Sequence, residues 1–261
     1  MASANLLDTN VVFDLIYPDR PRYKKALEFY KNFKNLELSI EPKVNIECQR
    51  VTVEFIGKFS TDLENFLSHR NQRSKRWDQL NPKQRSDALN DFLNTHSNNN
   101  NSHAKDILSF YTYTMKTIRS NLVHLNYIEV KEYLLNLSSE LLGNLRQQIF
   151  VRFSYIIPYY AIDKEEIIRF IDSLRESILG LDKSFSSSQK EDFNILVSLI
   201  QIYTFGDSES RRYDSLLFYT NDENFLKSFN KLKNSDPSLN EKLLDGYLKK
   251  ALEFISFEKP Y

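Results

Sequence analysis

Two apolar runs near opposite ends of the chain finish in nearly the same polar cluster. This pairing limits the fold more than any other feature of the sequence. The first run, Ala4-Asn5-Leu6-Leu7, leads into Asp8-Thr9-Asn10. The second, Leu216-Leu217-Phe218-Tyr219, leads into Thr220-Asn221-Asp222. Short apolar runs ended by residues that turn the chain and cap helices read as strands followed at once by helices. In an open α/β sheet, ligands sit just beyond the carboxyl ends of the strands. Two strands that each deliver Asp, Thr and Asn to that edge suggest one shared site. Taken alone, Asp8 has a plainer reading, as the N-cap of the helix that begins near Val11.

The rest of the chain is consistent with this frame. Residues 10–16 read as the first helix, and Pro18 and Pro21 break it. Ala26, Leu27, Tyr30 and Phe33 have helical spacing, and Leu36–Ile40 fits a second strand. Such a βαβ opening favours a parallel sheet. Pro42 then opens a helix striped by Val44, Cys48, Val51 and Phe55, with Glu47 beside the stripe. Glycine is scarce, at 5 residues, against 15 Tyr and 19 Phe, so long helices with an aromatic core are expected rather than a turn-rich β protein. From about residue 60 to 190 the pattern is helical, with helices expected at 86–92, 104–119, 128–148 and 164–179. A polar loop is expected at 98–101 and a polar linker at 184–189. A helix opening on Glu191-Asp192 leads towards the Leu216 strand. Helices near 225–232 and 239–250 and a closing strand at 252–257 complete the chain. The expected domains are an α/β core, residues 1–58 and 189–261, and an α-helical insertion or cap, residues 59–188.

An early Leu-Leu-Asp-Thr-Asn and a late strand ending Thr-Asn-Asp before Phe225 resemble the PIN-domain nucleases. The resemblance covers roughly residues 4–58 and 189–257. It implies a three-layer PIN-like fold around a central, mostly parallel sheet. It also implies two further acids between the end motifs. Glu47 stands where the second is expected. Asp192, on an apolar helix leading to the last motif, fits the third, with Asp207 and Asp214 as rivals that leave less helix before the strand. The resemblance then implies a metal-dependent endoribonuclease. Asp8, Glu47, Asp192 and Asp222 would be both catalytic and metal-binding, supported by Asn10, Thr220 and Asn221. Four carboxylates in one cleft repel one another, and oxygen donors without Cys or His suit Mg²⁺ or Mn²⁺. Such a metal would acidify a water and offset charge on a phosphodiester. RNA is the implied substrate, with DNA in some relatives.

Charge limits how nucleic acid could be held. Lys plus Arg equals Asp plus Glu, at 35 each, so a local patch is expected rather than a broad basic face. Candidates are Arg70, Arg73, Lys75 and Arg76, with Trp77 available for base stacking, and Arg211 and Arg212 near the last strand. A solvated helix end is the simpler reading of the first group. Cys48 is the only cysteine and excludes an internal disulfide. With no apparent signal peptide or membrane span, a cytoplasmic location is expected. Two other functions compete. One is a catalytically weak or inactive PIN-fold module that binds RNA or protein through the helical insertion, which could also carry a homodimer contact. The other is a phosphoryl-transfer enzyme with Asp8 as nucleophile, disfavoured because Asn10 stands where a second acid is needed.

Overall fold

The protein is described from a computed structural model that covers residues 3–32, 37–73, 76–97, 102–159, 187–227 and 254–261. The strands are β1 (Ser3–Leu7), β2 (Leu38–Ile40), β3 (Ser154–Tyr155), β4 (Ser215–Tyr219) and β5 (Ile255–Glu258). They form one sheet in the order β3-β2-β1-β4-β5, and every neighbouring pair is parallel. The helices are α1 (Thr9–Ile16), α2 (Tyr23–Asn32), α3 (Pro42–Arg73), α4 (Pro82–His96), α5 (Ser102–Leu122), α6 (Tyr127–Arg152) and α7 (Ser187–Phe205). The expected α/β class with a parallel sheet is therefore observed.

The sheet order follows from burial. Ala4, Asn5, Leu6 and Leu7 of β1 are all buried, as in a strand covered on both faces. It is the central strand. The chain passes from β1 outward through β2 to β3, then returns to place β4 on the other side of β1. The direction of winding thus reverses between β1 and β4, and a crevice at their carboxyl ends is the expected consequence. α7 packs against β4 and β5 with Leu196, Leu199, Ile200 and Ile202 buried.

The chain divides into two compact units. One comprises residues 1–12, 28–47 and 150–261 and contains the whole sheet. The other comprises residues 13–27 and 48–149 and is helical. Its core includes Ile56, Phe59, Leu63 and Leu67 of α3, Phe92 of α4, and Tyr111 and Met115 of α5. Phe59, Phe92 and Tyr111 meet there, the first two edge to face at 5.7 Å.

Several expectations shift. The helix opened by Pro42 runs unbroken to Arg73, well past Phe55, the last stripe residue read from the sequence, and residue 58, the expected edge of the core, lies inside it. Its apolar stripe continues through Phe59, Leu63 and Leu67, at helical spacing, beneath a polar outer face. The short helix expected at 86–92 occupies Pro82–His96, with Asn81 capping it and Gln84 completing a capping box. Ser187–Gln189, expected as linker, begins α7. β3 was not expected from its two residues. The helices expected at 164–179 and 239–250 lie outside the described residues. Among the described residues no helix is long and apolar enough to cross a membrane.

Candidate functional site

The site is built from the turn that follows β1. The backbone N–H of Asp8 donates to Tyr219 O at 3.0 Å, extending the β1–β4 ladder one residue past β1. The Asp8 carbonyl accepts the first bond of α1, from Val12, so Asp8 does act as an N-cap. Its carboxyl does more than cap. Oδ1 accepts the Thr9 N–H at 2.7 Å, and Oδ2 accepts the Thr220 hydroxyl at 2.5 Å. Thr220 Oγ1 in turn accepts the Asp222 N–H at 3.0 Å. Asn10 Oδ1 accepts the Asn221 N–H at 3.2 Å. The two motifs paired in the sequence are thus joined by three hydrogen bonds across the point where the sheet reverses. Asn10 and Thr220 sit where supporting residues were expected.

Glu47 enters from the first turns of α3, and the Thr9 hydroxyl donates to its Oε2 at 2.5 Å. In the sequence Thr9 reads only as a turn and capping residue. Its place between Asp8 and Glu47 was legible only as the middle residue of the Asp-Thr-Asn run. Burial pushes the Asp8 carboxyl up to about 7. The hydrogen bonds from Thr220 and Thr9 oppose this, while the charges of Glu47 and Asp192 add to it. Of the four expected acids, Asp8 therefore feels both Glu47 and Asp192. The three come from a strand end and from the starts of two helices, and all belong to the sheet-bearing unit.

Asp222 differs. Its Oδ1 accepts the N–H groups of Asn224 at 2.7 Å and Phe225 at 3.1 Å, capping the helical residues 223–227. It reaches the other acids through its backbone and Thr220, and it is not among the main causes of the Asp8 shift. Asp207, the rival third acid, is fully engaged elsewhere. Its carboxylate accepts the Glu209 and Arg211 N–H groups, the Arg211 guanidinium at 2.7 Å and the Tyr213 hydroxyl at 2.7 Å. Burial works against its ionised form, but these donors outweigh it and hold the carboxyl below its ordinary value. Asp214, the other rival, is exposed.

Glu41 went unnoticed in the sequence. It follows β2 directly, is fully buried, and accepts the Lys43 N–H at 2.8 Å as a cap of α3. Burial raises its pKa, against the nearby Lys43 charge. Its only sequence signal is an acid just before a helix-opening proline, and that pattern reads first as a cap.

Two of the six cations expected to grip nucleic acid, Arg70 and Arg211, are paired with acids. Trp77 is fully buried, its indole N–H donates to Leu125 O at 2.9 Å, and the Arg85 guanidinium lies 5.3 Å above its ring. It is a core residue and has no face left for a base, which corrects the expected stacking role. Arg70 lies 3.6 Å from Asp91. Arg211 pairs with Asp207 and Glu209. Arg76 and Arg212 are exposed. The Arg73 side chain and Lys75 lie outside the described residues.

The donor set at the edge is all oxygen, and its carboxylates disfavour one another's charge. That chemistry suits a hard divalent cation. Among the described residues, however, no group of three or more His, Cys, Asp or Glu side chains is arranged to hold a metal ion. Thr9 hydrogen-bonds to both Asp8 and Glu47, so a hydroxyl and an amide link these carboxylates. What the fold and site define together is an α/β chain with interacting acids at the carboxyl edge, beside the reversal point of a five-stranded parallel sheet. No family model, curated protein or solved structure matches the chain.

Proposed function

We propose that this chain is a PIN-like, metal-dependent endoribonuclease. The observation that carries the reading is Asp8. It lies where the sheet reverses, is held by donors from both motif segments, and is driven towards its neutral form by burial and by two acids. Strong perturbation of this kind concentrates at functional sites. Asp8, Glu47 and Asp192 would hold Mg²⁺ or Mn²⁺, with Asp222 joining them if its carboxylate leaves the helix cap. The ion would supply the positive charge that a phosphodiester transition state needs and lower the pKa of an attacking water. The chain's own part is orientation. Thr220 fixes one oxygen of Asp8, Thr9 fixes Glu47, and Asn10 holds the exit of β4 against the start of α1.

One observation favours the alternative, an RNA- or protein-binding module with a weak or idle site. Asp222 spends its carboxylate on a helix cap rather than on the crevice. The deciding experiment is incubation of mixed single-stranded and structured RNA with the protein in Mn²⁺, Mg²⁺ or EDTA. Metal-dependent cutting that is lost in Asp8→Asn and Glu47→Gln supports the nuclease. Folded protein that neither cuts nor binds Mn²⁺ favours the binding module.

A further inference from the structure

The parallel register extends one residue past the strands and places a row of residues along the carboxyl edge. Leu7 pairs with Tyr219, and Tyr219 with Glu258. The backbone bonds Asp8 N–H to Tyr219 O and Thr220 N–H to Glu258 O carry the pattern on. Asp8, Thr220 and Lys259 thus follow one another at the ends of β1, β4 and β5. On the other side of Asp8, β2 is followed directly by Glu41, and Lys43 lies in the first turn of α3. The acids of the site lie between two lysines.

The surroundings of these lysines set them apart. Lys43 lies one helical turn before Glu47, and its Nζ donates to the main-chain carbonyl of Asn194 at 3.0 Å, two residues past Asp192. It is therefore tied to both helices that carry acids of the site: its ammonium donates to a main-chain carbonyl there and also feels the charge of the buried Glu41 beside it. Its stem is partly covered while the ammonium hydrogen-bonds at the surface, the usual arrangement of a snorkelling lysine. Lys259 is half-exposed and lies 3.3 Å from the exposed Glu223, the residue after Asp222. A surface pair of this kind contributes only about 0–1 kcal/mol and exchanges readily for a phosphate. From the end of β2 to the end of β5 is three strand spacings, about 14 Å. That is a span for a few phosphates of a single strand.

We propose that Lys43 and Lys259 are the phosphate-gripping residues of this site and lay a single-stranded nucleic-acid backbone across the carboxyl edge, over the acids and perpendicular to the strands. The inference rests on the nuclease reading for its substrate class, but it concerns binding and is testable without cleavage. It also explains how a chain of zero net charge holds a polyanion, since two lysines beside the acids suffice without a basic face.

The test is fluorescence anisotropy in EDTA, with labelled oligouridylate and oligodeoxyuridylate of about 12 nucleotides, within the usual range for single-strand sites. Wild type is compared with Lys43→Gln, Lys259→Gln, the double variant and Lys43→Arg, each checked for an unchanged melting temperature. Each Gln variant is expected to weaken binding about 3- to 10-fold. Each should also reduce the slope of log affinity against log salt by about 0.7, the value for one phosphate contact on a single strand. Lys43→Arg should restore both. Equal loss on both oligomers identifies the shared phosphodiester backbone, and loss confined to RNA adds a sugar contact. An unchanged slope in the double variant overturns the proposal, as does failure of wild type to bind either oligomer at low salt. If Lys43→Gln only lowers the melting temperature, Lys43 is a tether between helices and the proposal is again overturned. Lysine-dependent binding without Mn²⁺-dependent cutting would leave this inference standing and remove the nuclease reading.

Discussion

Two buried aspartates in the sheet-bearing unit have opposite electrostatics. Asp207 lies in a loop that wraps its carboxylate with four donors, including a guanidinium. Gly206 there adopts φ +90°, and a Cβ at that position would approach Arg211 O at 2.5 Å, so only glycine allows the loop to close so tightly. Asp8 receives one N–H and one hydroxyl and faces two other acids. One carboxylate is stabilised in its charged form and the other is driven out of it. The first arrangement builds a loop. The second leaves an electrostatic conflict that a ligand of positive charge would relieve, and such local conflicts tend to mark functional positions.

The comparison is broken most decisively by activity. Asp8→Asn is expected to lower Mn²⁺-dependent RNA cleavage by on the order of 10³-fold. Asp207→Ala should stay within about twofold of wild type at temperatures where it is folded. Gel assays of initial rates measure both. Equal losses in the two variants would erase the distinction.

The next effect is on stability against pH. Asp8 binds its proton more tightly in the folded chain, with a pKa of about 7 against 3.8 for a free side chain. The folded state therefore holds more protons between about pH 4 and pH 7, and its stability must fall as pH rises through that window. The loss is complete above about pH 7 and at most about 4 kcal/mol. Asp8→Asn removes it. In EDTA at pH 8 the variant should melt at a higher temperature than wild type, and the gap should close near pH 4. Lower melting at pH 8 would show that the Asp8 charge is not in conflict. In wild type, Mn²⁺ at about 100 times its dissociation constant should add about 2.7 kcal/mol, an effect that Asp8→Asn should largely remove.

Asp207→Ala should behave in the opposite sense. Loss of an acceptor shared by Tyr213, Arg211 and two N–H groups is expected to cost about 2 kcal/mol at pH 7. Because the Asp207 pKa is lowered, its contribution is present above the ordinary carboxylate value and lost as pH falls below it. Thermal melts at pH 7 and pH 3 would test this. A cost at pH 3 as large as at pH 7 would count against charge as its source. The smallest effect is at Thr9. Thr9→Val removes the hydroxyl that donates to Glu47, and kcat should fall about 10-fold with KM nearly unchanged. Single-turnover rates would show it.

What could be read in the sequence divides along similar lines. Asp8-Thr9-Asn10 marks the end of β1 and the start of α1 almost to the residue, because turn chemistry and capping act over two or three positions. The pairing of that motif with Thr220-Asn221-Asp222 is also local information, read twice. Features that depend on distant partners were harder to see. Trp77 looks exposed among basic neighbours, yet the Leu125 carbonyl and Arg85 make it a core residue. The commitment of Asp207 depends on a loop that folds back over six residues. The Glu41 and Thr9 side chains read as caps, and their position at the acid edge depends on strand order, which no local window contains. β3, with two residues, gives no periodicity at all.

Strand order also dictates the timing of assembly. β1 is the middle of the sheet, and its neighbour β4 is made more than two hundred residues after it. Loop closure over such a separation is slow and cannot begin before β4 exists. Asp8 and Glu47 are thus synthesised long before Asp192 and Thr220. A nascent chain would carry only half of its acid edge beside the most abundant RNA in the cell. On the nuclease reading, translation order alone would keep the growing chain from cutting the ribosome that makes it.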